Sequence, residues 1–126
     1  MPPAKPFRLK APRVPPLREH HVAQACLDYL RVRGYYPVRL NSGLFKTPDG
    51  RWVRVGEPGL PDYMAIHPRY PGFFLEVKRP GGVLSADQTR KIQELRIYRL
   101  SVAVIDNVEA LVSWLKTHEK GASAQA

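Results

Sequence analysis

The run Phe73-Phe74-Leu75-Glu76-Val77-Lys78 constrains this chain more than any other stretch. It is apolar, aromatic and β-prone, so it belongs inside a sheet, yet it carries an acid and a base two positions apart. Side chains two apart on a strand share a face, so Glu76 and Lys78 project together from one surface. Asp62 introduces a second β-prone run, Tyr63-Met64-Ala65-Ile66, which can pair beside the first. That pairing gathers two carboxylates and an ammonium, the groups that a divalent cation and a phosphodiester both require.

The rest of the composition narrows the setting. The 126 residues suffice for one domain with a real core, and 44% of them are hydrophobic. No apolar run approaches the ~18 residues of a membrane span, and Met1-Pro2-Pro3-Ala4-Lys5-Pro6 does not begin a signal peptide. The cytoplasm of whatever cell makes the chain is therefore the expected location, with no membrane partner. The single cysteine, Cys26, excludes an internal disulfide framework and a cysteine-ligated zinc site. A net charge of +9 and a pI of about 10.1 make nucleic acid the first candidate partner. Solubility through excess charge is the plainer alternative.

Residues 1–17 hold six prolines and the bases Lys5, Arg8, Lys10 and Arg13 without an acid, which predicts an extended arm. It either tracks DNA phosphates or is simply a disordered end. A helix is expected from Leu17 to Arg33, stopped by Gly34, with Val22, Ala23, Cys26 and Leu30 inward. Glu19 falls on the same stripe, where it complements the helix dipole or contacts a buried site. Strands follow at Tyr35–Leu40, Gly43–Lys46 and Arg51–Val55, the last two joined through Thr47-Pro48-Asp49-Gly50 as a hairpin. Further strands cover Tyr63–His67 and Phe73–Lys78.

Ser85-Ala86-Asp87-Gln88 opens a second helix, reaching about Arg99, with Ser85 and Gln88 as a capping box. Ser101–Ile105 reads as a buried strand. Asn107 caps a last helix through His118, with Val108, Leu111, Val112 and Leu115 inward. The domain therefore spans 18–118, and residues 119–126 form a flexible tail. The expected class is α/β: a mixed central sheet flanked by helices.

Each candidate residue also has a plainer reading. Glu76 and Lys78 make an exposed ion pair, Asp62 a turn residue after Pro61, and Gln88 only a cap. The joint order is what selects the chemistry: an acid on a helix, a hairpin, G-x-P-D, a strand, E-x-K, a glycine turn, then an S-x-x-Q helix. Mg²⁺ takes oxygen ligands and keeps several waters, so Asp62 and Glu76, with the Val77 carbonyl as a third oxygen, suffice to hold it. Lys78 then orients the attacking water or stabilises the charge developing on phosphorus.

The segments Glu19, Arg39-Leu40-Asn41-Ser42-Gly43, Gly59-Leu60-Pro61-Asp62, Glu76-Val77-Lys78-Arg79-Pro80-Gly81-Gly82 and Leu84-Ser85-Ala86-Asp87-Gln88 resemble the VRR-Nuc domain of the PD-(D/E)xK nuclease superfamily. The likeness is to its short standalone form known from phages and bacteria, and covers about Arg18 to Leu115. It implies a restriction-endonuclease-like fold. It also implies that Asp62 and Glu76 ligate Mg²⁺ or Mn²⁺, that Lys78 is the catalytic lysine, and that Gln88 and Glu19 support the site. Cleavage leaving 5′-phosphate and 3′-hydroxyl ends is implied, as is a homodimer able to cut branched DNA such as four-way junctions. One departure stands out: many relatives have a glycine before the last strand, where this chain has Tyr98-Arg99-Leu100-Ser101.

The expectation is thus a Mg²⁺- or Mn²⁺-dependent DNA endonuclease acting on branched DNA. A non-catalytic DNA-binding module on the same fold, or a nuclease of single-stranded ends or flaps, is the alternative. Arg39, Asn41, Lys46 and Arg79 are the expected nucleic-acid contacts, and Arg51, Arg54, Arg69, Arg90 and Lys91 are further phosphate candidates. Adjacent His20 and His21 point about 100° apart on a helix and do not readily share an ion, so they read as surface or DNA-facing. Trp52 and Trp114 read as packing residues rather than base-stacking platforms.

Overall fold

The computed structural model describes residues 18–124, with side chains to residue 122. The expected arm over 1–17 lies outside the described residues. The elements run α1 (Glu19–Val32), β1 (Tyr36–Arg39), β2 (Gly43–Lys46), β3 (Trp52–Val55), β4 (Tyr63–Ile66), β5 (Phe73–Val77), α2 (Ala86–Ile97), β6 (Val102–Ile105) and α3 (Val108–Ala124). Four strands form a mixed sheet in the order β1-β4-β5-β6. β4 pairs antiparallel with both β1 and β5, while β6 lies parallel to β5. The β2–β3 hairpin forms a separate two-stranded sheet. No helix among the described residues is long and apolar enough to cross a membrane.

Alternation along β5 sets the layers. Phe73, Leu75 and Val77 point to one face, where Val22, Cys26 and Leu30 of α1 and Leu111 and Leu115 of α3 close over them. Burying each such side chain contributes roughly 1.5–3 kcal/mol, so this face is the core. Glu76 points to the opposite face, beneath α2. Helix α2 is mostly solvated and buries Ile92.

Two helices end in the same six-to-one hydrogen-bonded turn. At α1 the Tyr35 N–H donates to Leu30 O at 2.9 Å and Gly34 N–H to Arg31 O at 3.0 Å, with Gly34 at φ +88°. At α2 the Leu100 N–H donates to Leu95 O at 3.1 Å and Arg99 N–H to Arg96 O at 2.9 Å. Here the left-handed position is Arg99, at φ +61°, a conformation costly for a residue with a Cβ. The Tyr98-Arg99-Leu100 sequence thus keeps the turn a glycine would make and bears the strain.

Helix α3 corrects the expected boundary, because it continues past His118 to Ala124. The physical reason is Glu119, which is buried and accepts from Arg33 Nη2 at 2.6 Å and the Tyr35 hydroxyl at 3.1 Å. These bonds anchor the helix beyond the last apolar position of the stripe.

Relieving the Arg99 strain gives a direct check. Arg99→Gly is expected to raise unfolding stability by about 0.5–1 kcal/mol, read from the denaturant midpoint at constant slope.

Candidate functional site

The G-x-P-D loop, the end of β5 and the start of α2 meet at one point. Pro61 is fully buried and delivers Asp62 to the mouth of the sheet. Asp62 Oδ2 accepts from the Val77 N–H at 3.0 Å, which fixes the carboxylate beside Glu76. Gly59 explains how the loop comes so close: it has φ +76°, and a Cβ there would overlap the Asp87 carbonyl in the first turn of α2. The loop bearing Asp62 and the helix bearing Gln88 therefore interlock through a missing side chain.

Gln88 divides its amide between two tasks. Its Oε1 accepts from the Ser85 N–H at 2.9 Å while Ser85 Oγ accepts from Gln88 N–H at 3.1 Å, completing the expected capping box. Its Nε2 is then left to donate to Glu76 Oε1 at 3.0 Å. A glutamate would cap as well but could not donate to Glu76. Both the capping and the site readings of Gln88 hold at once.

Glu76 is only 1% exposed. Lys78 Nζ lies 3.6 Å from its Oε1, so the acid and base share a face as their spacing requires. Its other oxygen, Oε2, is buried with no hydrogen-bond partner among the described residues. Burial pushes the Glu76 carboxyl up to about 7, and the Asp62 charge adds to this while Lys78 opposes it. Burial likewise raises Asp62, against the Val77 N–H, Lys78 and Arg39.

Glu19 is exposed at the start of α1 and lines a cleft of about 640 Å³ with Arg39, Asn41, Asp62 and Val77. Its charge also reaches Glu76, raising that carboxyl slightly. Arg39 and Asn41 are thus brought to the site. Lys46 stands on the hairpin and Arg79 is exposed just beyond Lys78; neither lines the cleft. Three of the further phosphate candidates are paired: Arg51 with Asp49, Arg90 with Asp87, and Lys91 with Glu57 and Glu94. Arg39, Lys46, Arg54, Arg69 and Arg79 carry no ion pair among the described residues.

His20, Gln24 and Leu27 also line the cleft; His20 was expected as a surface or DNA-facing residue, while Gln24 and Leu27 were not foreseen there. Their spacing of three to four residues, one position round from Glu19, is the signal that identifies them as a second face of α1. His21 has a local task instead, its Nδ1 accepting from the Arg18 N–H at 3.3 Å. Trp114 packs as expected, stacked on His118 with ring centroids 4.7 Å apart. Trp52 does not: it is 67% exposed, and among the described residues no sheet or helix packs over that face of the hairpin.

Among the described residues no three His, Cys, Asp or Glu side chains form a ready metal cage. A hard cation that keeps most of its waters needs only one or two carboxylates. The unpartnered Glu76 Oε2 beside Asp62 fits that demand, and Gln88 orients the same carboxylate as an outer partner would. In comparison with known proteins, no family model matches the chain, and no curated protein matches it.

The buried acid makes metal-free stability depend on pH. The unfolded chain releases the Glu76 proton near 4.5, whereas the folded protein holds it to about 7. The unfolded state binds fewer protons in that window, so stability falls as pH rises through it and levels off above. In EDTA, thermal unfolding should show this decline, and Glu76→Gln should flatten it. Gln88→Glu should keep helix α2 capped yet lower stability by about 1–3 kcal/mol at pH 8, because it sets a like charge on a buried carboxylate. Unfolding at pH 5, where that penalty shrinks, provides the comparison.

Proposed function

We propose that this chain is a Mg²⁺- or Mn²⁺-dependent DNA endonuclease of the VRR-Nuc kind, on a restriction-endonuclease-like fold, acting on branched DNA. The observation that carries the reading is the convergence of Asp62 and Lys78 on Glu76, whose Oε2 is buried without a hydrogen-bond partner among the described residues. A surface ion pair would leave no such oxygen, and a buried, ionised carboxylate is costly unless it keeps its proton or further positive charge joins it.

When bound, the cation lowers the pKa of a coordinated water and offsets charge on the phosphate. Asp62 and Glu76 would hold it, with the Val77 carbonyl at the strand end as a third oxygen. Gln88 keeps the Glu76 carboxylate in one plane. Lys78, on the same face, supplies a fixed positive charge and a proton donor toward the phosphoryl oxygens. Arg39 and Asn41 in the cleft receive the neighbouring phosphates, and Glu19 adds negative charge that favours the cation.

A homodimer suits opposed nicks at a junction, since a two-fold axis duplicates the site. Exposed Ile97, Tyr98 and Leu100, just ahead of edge strand β6, offer an apolar surface for it. A cytoplasmic setting agrees with the lone Cys26, whose thiol burial pushes up to about 11 and so keeps it unreactive.

Labelled duplex and four-way junctions, incubated with Mg²⁺ or Mn²⁺ and with EDTA, test the reading. Metal-dependent cleavage is expected, with a loss of about 10³-fold or more in Asp62→Ala and Glu76→Ala, and about 10²-fold or more in Lys78→Ala. Added Mn²⁺ should raise the unfolding temperature of the wild type and leave that of Asp62→Ala unmoved. Binding without any metal-dependent cleavage would replace this reading with the non-catalytic DNA-binding module. Cutting confined to single-stranded ends or flaps would revise the substrate.

A further inference from the structure

The β2–β3 hairpin has no part in the chemistry above, yet its surface is the least expected in the molecule. Its register pairs Leu44 with Arg54, Phe45 with Val53, and Lys46 with Trp52. Directly opposed residues share a face, so Leu44, Lys46, Trp52 and Arg54 lie on one side and Phe45 and Val53 on the other. Phe45 lines the cleft with Asp62 and Arg39, which turns the Trp52 side outward. There Trp52 is 67% exposed and Leu44 56%. Lys46 faces Trp52 across the ladder and Arg54 follows it along the strand, both without an ion pair among the described residues. None of the four side chains of that face is acidic.

An isolated hairpin is at best marginally stable in water, so this one is held by other means. Its tip is closed by Thr47, whose N–H donates to Arg51 O at 2.7 Å and whose hydroxyl accepts from Arg51 N–H at 3.1 Å. Asp49 bonds both the Thr47 hydroxyl and the Arg51 guanidinium. At the base, Gly56 at φ +70° lies so close to Ser42 and Asn41 that a Cβ would touch both. The indole is therefore presented by a braced element.

A flat exposed indole flanked by two unpaired cations suits a polyanion that carries aromatic faces. Bases within a duplex are already stacked; unpaired bases are not, and they stack on exposed aromatics while adjacent cations take the phosphates. A second copy of this chain fits poorly, because a two-fold contact would set Lys46 and Arg54 against their own kind. We propose that the outer face of the β2–β3 hairpin is a stacking platform for unpaired DNA, with a base on Trp52 and flanking phosphates on Lys46 and Arg54. The inference rests on the DNA substrate of the nuclease reading and identifies which part of it this surface grips: the single-stranded stretch beside the cleavage point.

Fluorescence anisotropy in EDTA, with the full chain and three labelled probes, tests it: a single strand, a matched abasic strand and a blunt duplex. Trp52→Ala is expected to weaken binding of the single strand about tenfold and to change the other two by less than about twofold, with Trp52→Phe restoring most of the loss. Circular dichroism verifies that each variant is folded. Equal single-strand affinity in Trp52→Ala and wild type would overturn the platform, as would an equal loss on the abasic strand. So would a change from dimer to monomer in Trp52→Ala with DNA affinity intact, which would make the face a contact between copies. Metal-dependent duplex cleavage alongside any of these results would leave the nuclease reading standing. Base-dependent binding without cleavage would do the reverse, and no binding to any probe would remove both.

Discussion

A carboxylate shut away from water must keep its proton or acquire positive charge, and Glu76 is in that position on the central strand. Strand β5 is buried on both faces because α1 and α3 cover one side and α2 the other. An apolar residue would serve that place better if packing were all that mattered. Instead one oxygen is held by Gln88 and approached by Lys78, while the other has no partner among the described residues. The neighbouring elements are shaped around this acid: the Gly59 contact, the Asp62 bond to the strand end, and the double duty of Gln88 all converge on it.

Much of this was legible from residue order. The strand alternation of Glu76 and Lys78, the Ser85–Gln88 cap, the stop at Gly34 and the Asn107 start of α3 each follow from local rules, and local hydrogen bonds satisfy them. The mixed sheet followed from the succession of helices and strands. The proximity of Asp62 to Glu76 was an inference from strand pairing, and the antiparallel β4–β5 register carries it out.

What escaped the sequence is mostly long-range. Nothing local shows that Gly59 must lie against Asp87, or that Glu119 meets Arg33 and Tyr35 across the molecule. The fate of the cations was equally hidden, because Lys91 and Arg90 look like Arg39 until their acidic partners are seen. Trp52 was misjudged for a related reason. A tryptophan in a strand ordinarily has a second layer to pack on, and among the described residues this hairpin has none on that side.

The clasp at Glu119 reaches further than a helix end. It holds Tyr35 and Arg33, the residues that lead directly into β1, and β1 in turn carries Arg39 to the cleft. The last helix thereby governs the alignment of the cleft wall from the opposite end of β1. A chain shortened before residue 119 would keep every residue of the proposed site while letting that wall drift, so α3 acts as a remote brace for the cleft's entrance.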